Sequence, residues 1–183
     1  MKRGLLLKTL VVVAIAIGLS LVPAGAEDNH KFLMATGQMC HVTYLDPGTI
    51  KCIGGSFDPT TGWCTPGTRK ILTRNTMSLW SSSGVTGSAA TMFQGPQTSV
   101  TSCNLDENLQ GECWGTFERN IEAGGKWEGT WSGKFDFINN IFAESAVGHG
   151  EGGNVDGLNM KTEGMSPGGS STCFTFFAQV VNH

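Results

Sequence analysis

Residues 113–135 read CWGTFERNIEAGGKWEGTWSGKF, two runs of alternating residues around the pair Gly124-Gly125. Gly-Thr-Phe follows Trp114 in the first run, and Glu-Gly-Thr-Trp follows Trp127 in the second. Alternation with a period of two is typical of β-strands, and Gly-Gly between two such runs is typical of a hairpin. The stretch therefore predicts two antiparallel strands, 113–121 and 126–138.

The same period of two continues through the chain on both sides of this hairpin, in short segments separated by many of the 26 glycines. No stretch beyond residue 26 sustains the apolar pattern of an amphipathic helix over three turns. Asp46-Pro47-Gly48 predicts a turn, and residues 85–94 predict one of the weaker strands. Eight or nine short strands with Gly-rich turns predict an all-β fold. A small antiparallel β-barrel of about eight strands is favoured, with a two-sheet β-sandwich as the alternative.

The first 26 residues have the pattern of a secretory signal peptide. Lys2 and Arg3 precede an apolar run from Thr9 to Val22, and Ala24-Gly25-Ala26 supplies the small residues of a cleavage site. The run is shorter than the roughly 20 residues that a membrane span needs, so no stable span is expected after cleavage. We expect the mature chain to begin at Glu27 and to be exported, to a periplasm or out of the cell.

Residues 27–183 are expected to form a single domain with an acidic balance. Cleavage removes three of the 12 Lys and Arg and none of the 15 Asp and Glu, which leaves a net charge of −6. An acidic surface repels phosphate backbones, so nucleic acid is not an expected partner.

All six cysteines lie in this domain, and an even number in an exported chain indicates disulfides. No Cys-x₂-Cys pair and no pair of closely spaced histidines favours a metal site instead. Short loops favour two of the bridges and leave the third by remainder, so the predicted pairs are Cys52–Cys64, Cys103–Cys113 and Cys40–Cys173. The last pair would tie the first strand to the last, which favours the barrel because closure removes both sheet edges.

No motif in the domain supports a catalytic or cofactor site. Residues 148–153 match the dinucleotide pattern G-x-G-x-x-G, but a predicted strand follows where a helix is needed. Residues 164–168 match the nucleophile pattern G-x-S-x-G, but Pro167 lacks the N–H that would bind an oxyanion. His149 and Glu151 are too few ligands for zinc. A binding module is therefore favoured over an enzyme, and we expect neither a metal nor a cofactor.

The glycine and aromatic pattern also carries a resemblance. Over most of the mature chain, this pattern resembles a group of poorly characterised secreted bacterial proteins. The motifs that carry the resemblance are Trp-Gly-Thr-Phe, Gly-Gly, Trp-Glu-Gly-Thr-Trp-Ser-Gly, Gly-x-Gly-x-Gly-Gly and Asp-Gly-Leu. More distantly, residues 114–164 resemble the small barrels of the allene oxide cyclase and dirigent type. That resemblance implies an eight-stranded antiparallel barrel with an apolar cavity, but no catalytic residue of those enzymes matches a position here.

The candidate site lies on the predicted hairpin. If Gly124-Gly125 forms a two-residue turn, Glu118 lies on one face of the hairpin with three tryptophans. A carboxylate in that setting would have a raised pKa, which is a signature of functional sites. A three-residue turn would flip one strand and break the grouping. The predicted ligand-binding residues are Glu118, Trp114, Trp127 and Trp131.

Three functions are open on these grounds. The favoured one is an exported barrel that binds a small apolar or aromatic molecule in its mouth. The alternatives are a cyclase- or isomerase-type enzyme with a buried carboxylate, and a structural or interaction protein of the cell envelope with a filled barrel. An eight-stranded barrel is just wide enough either for its own side chains or for one small ligand, so the interior volume distinguishes them.

Overall fold

A computed structural model describes residues 32–168 and 172–181, and most of them lie in β-strands. The predicted signal peptide and the predicted mature N-terminus at Glu27 lie outside the described residues. In chain order the strands are β1 (Leu33–Asp46), β2 (Thr49–Ile53), β3 (Phe57–Asp58), β4 (Trp63–Cys64), β5 (Lys70–Thr86), β6 (Pro96–Asp106), β7 (Gln110–Asn120), β8 (Lys126–Asp136), β9 (Ile141–Glu151), β10 (Asn159–Pro167) and β11 (Cys173–Val181). Two short 3₁₀ helices, Ala90–Met92 and Gly153–Val155, lie in the connections.

Eight of these strands close into an antiparallel barrel. Strands β5 to β11 pair in chain order, β1 pairs with β11, and β1 also pairs with β5. The prediction of a barrel is confirmed, and the alternative of a two-sheet sandwich is wrong. In the part of the chain that the structure describes, no helix is long and apolar enough to cross a membrane.

Strand β5 is long enough to pair with two strands on one side. Its first residues, Lys70–Arg74, pair with β2, and its later residues, Met77–Thr86, pair with β1. The predicted turn at Asp46-Pro47-Gly48 separates β1 from β2. Gly48 has a φ of 64°, and its N–H donates to Asp46 Oδ1 at 2.8 Å. Strand β2 thus continues the barrel wall beyond the end of β1.

The disulfides of the structure are those that the spacing predicts. They are Cys40–Cys173, Cys52–Cys64 and Cys103–Cys113. The first joins directly opposed residues of β1 and β11, and the third joins directly opposed residues of β6 and β7. The second fixes the loop of β3 and β4 to β2. Two bridges therefore cross-link the barrel wall, and one fastens a loop at its rim.

One end of the barrel is closed by residues 87–95, where the prediction of a strand over residues 85–94 is wrong beyond Thr86. The chain turns at Gly87, whose φ is 108° and where a Cβ would lie 2.4 Å from the Met34 carbonyl oxygen. Phe93 is fully buried and stacks on Trp127 with 5.7 Å between the ring centroids. Trp127 Nε1 donates to the Met92 carbonyl at 2.6 Å. This end is filled by packed side chains.

Candidate functional site: the barrel cavity

A cavity of about 590 Å³ occupies the barrel interior above this closed end. Exposed residues at the far ends of the strands line its mouth: Tyr44 is 65%, Phe137 46% and Ile141 48% exposed. The barrel is therefore not filled by its own side chains, in contrast to the third functional alternative.

One wall of the cavity is aromatic. The rings of Phe135 and Phe142 are stacked with 5.0 Å between centroids, and Phe142 meets Phe174 edge-on, also at 5.0 Å. Phe174 contacts Trp80 at 5.7 Å, and Phe135 contacts Trp131 at 5.9 Å. Alternate residues of a strand face one side, so strands β5, β8, β9 and β11 each contribute inward rings. We call these five residues the aromatic wall.

The wall formed by β5 and β6 is more polar. Its inward polar side chains are Thr73, Thr76, Ser78, Gln97, Ser99 and Thr101. Several of them hydrogen-bond to each other or to neighbours: Gln97 Nε2 donates to Ser99 Oγ at 3.1 Å, and Trp80 Nε1 donates to Ser78 Oγ at 2.8 Å. The cavity is therefore amphipathic, with rings on one side and hydroxyl groups on the other.

Arg119 of β7 lies at the inner end of the cavity and is only 5% exposed. Its Nε and Nη2 donate to Gln97 Oε1 at 3.0 and 2.7 Å, and its guanidinium lies over Phe176 at 5.3 Å and Phe93 at 5.5 Å. Burial lowers the pKa of Arg119 to about 10, and the nearby Glu144 acts in the opposite direction. Arg119 therefore remains a cation at neutral pH.

Glu144 of β9 is the carboxylate in the cavity wall. It lies opposite Gly133 on β8 and Gly164 on β10, and a Cβ at Gly164 would lie 3.0 Å from Glu144 Oε1. The two glycines thus leave the space that the carboxylate occupies. Burial raises the pKa of Glu144 to about 7, while the Arg119 charge lowers it through space, without a hydrogen bond between them. Glu144 is therefore close to half-protonated near neutral pH.

Four buried side-chain nitrogens have no hydrogen-bond partner within the described residues, and all four belong to residues that line the cavity. They are His41 Nε2, Trp63 Nε1, Arg119 Nη1 and Trp131 Nε1. Burial lowers the pKa of His41, which favours its neutral form. Buried polar groups are nearly always paired in folded proteins. The two Trp nitrogens and Arg119 Nη1 can only donate, so these three indicate a need for acceptor atoms.

The face assigned to Glu118 by the two-residue turn is wrong. Asn120 pairs with Lys126, and the Ile121 N–H donates to the Gly125 carbonyl at 3.0 Å, which leaves three residues in the turn. A three-residue turn separates Glu118 from Trp127 and Trp131. It exchanges the faces of β7 relative to β8, because side chains alternate between the two faces of a strand. Glu118 and Trp114 consequently lie on the outer face of the barrel.

The four predicted binding residues therefore separate. The Glu118 side chain is 47% exposed and lies 3.7 Å from Lys126 Nζ, and Trp114 is 40% exposed beneath the Arg74 guanidinium. Trp127 is inside, as predicted, but belongs to the packed closed end. Trp131 is inside and lines the cavity.

The interior charges that the sequence reasoning missed are Arg119 and Glu144. The hairpin flip that exposes Glu118 carries its neighbour Arg119 inward. The signal for Glu144 was its position two residues from Phe142 and two from Ala146, since an inward Phe142 on a strand places Glu144 on the same face.

Fold and site together define a disulfide-bonded, eight-stranded antiparallel barrel, closed at one end, with an amphipathic cavity that opens at the other. Comparison of the chain with protein-family models, with curated proteins and with solved structures finds no match in any of the three. Among residues 32–168 and 172–181, no group of three His, Cys, Asp or Glu side chains is placed to hold a metal ion. The residues of the cavity are therefore the features of the molecule that indicate its function.

Proposed function

We propose that the chain is an exported module that binds one small, largely apolar molecule in the barrel cavity. The observation that carries the proposal is the cavity of about 590 Å³ with its continuous aromatic wall. Small-molecule pockets span about 300–1,000 Å³ and are lined mainly by apolar and aromatic side chains, with few polar groups. Three disulfides and the predicted signal peptide support export, because such bridges persist in oxidising compartments.

Rigidity of the site supports a binding role as well. The Cys103–Cys113 bridge joins two strands of the cavity wall, and both residues line the cavity. The closed end holds Phe93 and Trp127 in fixed packing beneath the site. A preformed pocket binds with little loss of conformational freedom, which increases the affinity obtained from a small contact area.

Binding of N-phenyl-1-naphthylamine, a neutral apolar dye whose fluorescence rises in dry surroundings, tests the proposal. The wild-type protein is expected to bind one dye molecule. Thr101→Trp, which places a large ring in the cavity, should weaken binding at least tenfold. Thr116→Trp makes the same change on the exposed outer face of β7 and should leave binding unchanged. Equal binding by the two variants would show that the dye does not occupy the cavity.

A second candidate function is proton transfer on such a ligand, of the cyclase or isomerase type. Glu144 favours it, because a group with a pKa of about 7 in a buried site suits general acid–base catalysis at neutral pH. The resemblance to allene oxide cyclase and dirigent barrels is compatible with this candidate. Exchange of the α-protons of 2-tetralone in D₂O, followed by NMR, should be at least tenfold faster with the wild type than with Glu144→Gln. Equal rates would exclude proton abstraction from this ketone by Glu144.

A further inference from the structure

The cavity presents donors for which the protein has no acceptors. Of its unpartnered buried nitrogens, the two Trp Nε1 groups and Arg119 Nη1 can only donate a hydrogen bond. A buried donor that is left unpaired destabilises the protein, because it has lost its hydrogen bonds to water. A ligand that pairs with Arg119 Nη1 therefore carries acceptor oxygens at the inner end of the cavity, and is apolar where it meets the aromatic wall.

Charge narrows the class of ligand further. The Arg119 guanidinium is buried over two aromatic rings, and the neutral Gln97 accepts from two of its nitrogens. A buried cation is stable only when it is paired, and carboxylates match the geometry of a guanidinium. Arg119 lines the cavity, and its Nη1 has no hydrogen-bond partner among the described residues.

We propose that the cavity binds a small apolar monocarboxylate, whose carboxylate accepts from Arg119 at the inner end while its apolar body lies along the aromatic wall. The inference rests on the proposed binding function and specifies its ligand class. Entry is through the mouth, where Tyr44, Phe137 and Ile141 present exposed apolar surface.

The other titratable groups of the cavity set how such binding depends on pH. They are His41, Tyr44, Asp136 and Glu144. Burial lowers the pKa of His41, which favours its neutral form. Hydrogen bonds from Asn139 lower the pKa of Asp136 and favour its carboxylate, but Asp136 lies at the mouth and not beside Arg119 at the inner end. Glu144 is the group that changes. When it is protonated the Arg119 charge is unbalanced and attracts an anion, and when it ionises it repels one.

Binding of the carboxylate should therefore be accompanied by uptake of a proton on Glu144. Above the pKa of Glu144, which is about 7 in the free protein, the affinity should fall by up to about tenfold per pH unit. A neutral ligand should show neither effect.

A matched pair of ligands tests the inference: biphenyl-4-carboxylate and biphenyl-4-carboxamide, which have nearly the same shape and differ in charge. Each is titrated by calorimetry and by displacement of N-phenyl-1-naphthylamine. At pH 6 the carboxylate should bind at least tenfold more tightly than the carboxamide. Between pH 6 and 8.5 its affinity should fall at least tenfold, whereas that of the carboxamide should change less than twofold. Titrations in HEPES and Tris at pH 7.5, which differ in ionisation enthalpy, should show proton uptake for the carboxylate alone.

Variants separate the two charged groups. Arg119→Met should abolish the preference for the carboxylate, and Arg74→Met, which removes an arginine from the outer face, should retain both this preference and dye binding. Glu144→Gln should keep the preference but lose its pH dependence. The wild-type pH dependence and proton uptake test the inference without relying on the folding of Arg119→Met.

Equal binding of carboxylate and carboxamide to the wild type, or a preference that survives in Arg119→Met, would overturn the inference. Dye binding in the same experiment would show that the proposed binding function still holds. If neither the dye nor either biphenyl compound binds, both the function and the ligand class are wrong.

Discussion

At the scale of single residues, the chemistry of the barrel interior depends on which of two successive residues in a strand points inward. Arg119 and Glu118 are neighbours in the chain, yet Arg119 is buried beneath Phe176, and Glu118 lies on the surface near Lys126. Glu144 reaches the interior because Gly133 and Gly164 on the neighbouring strands have no side chains in its place. The charges inside the cavity therefore depend on which face of its strand Arg119 occupies and on the glycines beside Glu144.

Replacing Glu144 by Gln is expected to stabilise the protein at high pH. Burial raises the folded-state pKa of Glu144 to about 7 from its ordinary value of 4.5, so folding favours the protonated form. This contribution is fully present below pH 4.5 and is lost as the pH rises through 7. The Gln variant should therefore gain stability over the wild type between pH 5 and 8.5, by up to about 3 kcal/mol.

Urea unfolding of both proteins at pH 5 and pH 8.5 measures this difference. Glu118→Gln, on the outer face, serves as the control and should show a pH-independent change of less than about 1 kcal/mol. An equal change in the free energy of unfolding at both pH values for Glu144→Gln would show that the pKa of Glu144 is not raised in the folded protein.

At the scale of elements, the segment between β5 and β6 closes the barrel. Its 3₁₀ helix, Ala90–Met92, is held by the Trp127 hydrogen bond to the Met92 carbonyl and by packing of Phe93 inside the barrel. Backbone bonds add to this, because the Ala89 N–H donates to the Met34 carbonyl at 2.9 Å. This connection thus becomes the floor of the cavity.

Trp127→Phe should destabilise the protein by about 2–3 kcal/mol, since it removes the hydrogen bond to the half-buried Met92 carbonyl and opens a small void where Trp127 is fully buried. Trp114→Phe makes the same change on the outer face, where Trp114 is 40% exposed, and should cost less than about 1 kcal/mol. Thermal and urea unfolding of the two variants provide the comparison. Similar losses would mean that the Trp127 hydrogen bond contributes little.

At the scale of the whole molecule, closure of the barrel brings distant parts of the chain together. Strand β1 pairs with β5 on one side and with β11 on the other, and the Cys40–Cys173 bridge spans 133 residues. A ring of eight strands has no free edges, apart from the short additional strand β2. The interior is therefore reached through an open end and not through the wall.

Loss of the Cys40–Cys173 bridge should destabilise the molecule more than loss of Cys52–Cys64. Their sequence separations are 133 and 12 residues, and all four cysteines are half-buried. In the chain-entropy model the two bridges contribute about 5 and about 3 kcal/mol, a difference of about 2 kcal/mol. Double Cys→Ala variants of each pair, compared by urea unfolding without reductant, test the ranking. An equal loss would show that native-state contacts outweigh the entropy of the unfolded chain.

Much of the fold could be predicted from local patterns. The period of two and the glycine-rich turns depend on residues close together in the chain, and they led to the barrel. Short spacings led to Cys52–Cys64 and Cys103–Cys113, and Cys40–Cys173 followed as the remaining pair. The inward positions of Trp127 and Trp131 on β8 were also predicted correctly. The two residues are four positions apart, and side chains separated by an even number of residues lie on the same face of a strand. The prediction of a signal peptide stays a prediction.

What the amino-acid sequence determined by itself was the class of fold, because strand alternation and turn chemistry are local properties. The site was settled only in three dimensions. The turn at Gly124-Gly125 has three residues and not two, which exchanges the two faces of β7. Arg119 therefore faces the interior, and Glu118 faces the solvent. Arg119 and Glu144 lie on β7 and β9, which are separated by β8, and they interact through space. The raised pKa of Glu144 depends on burial that only the closed barrel produces.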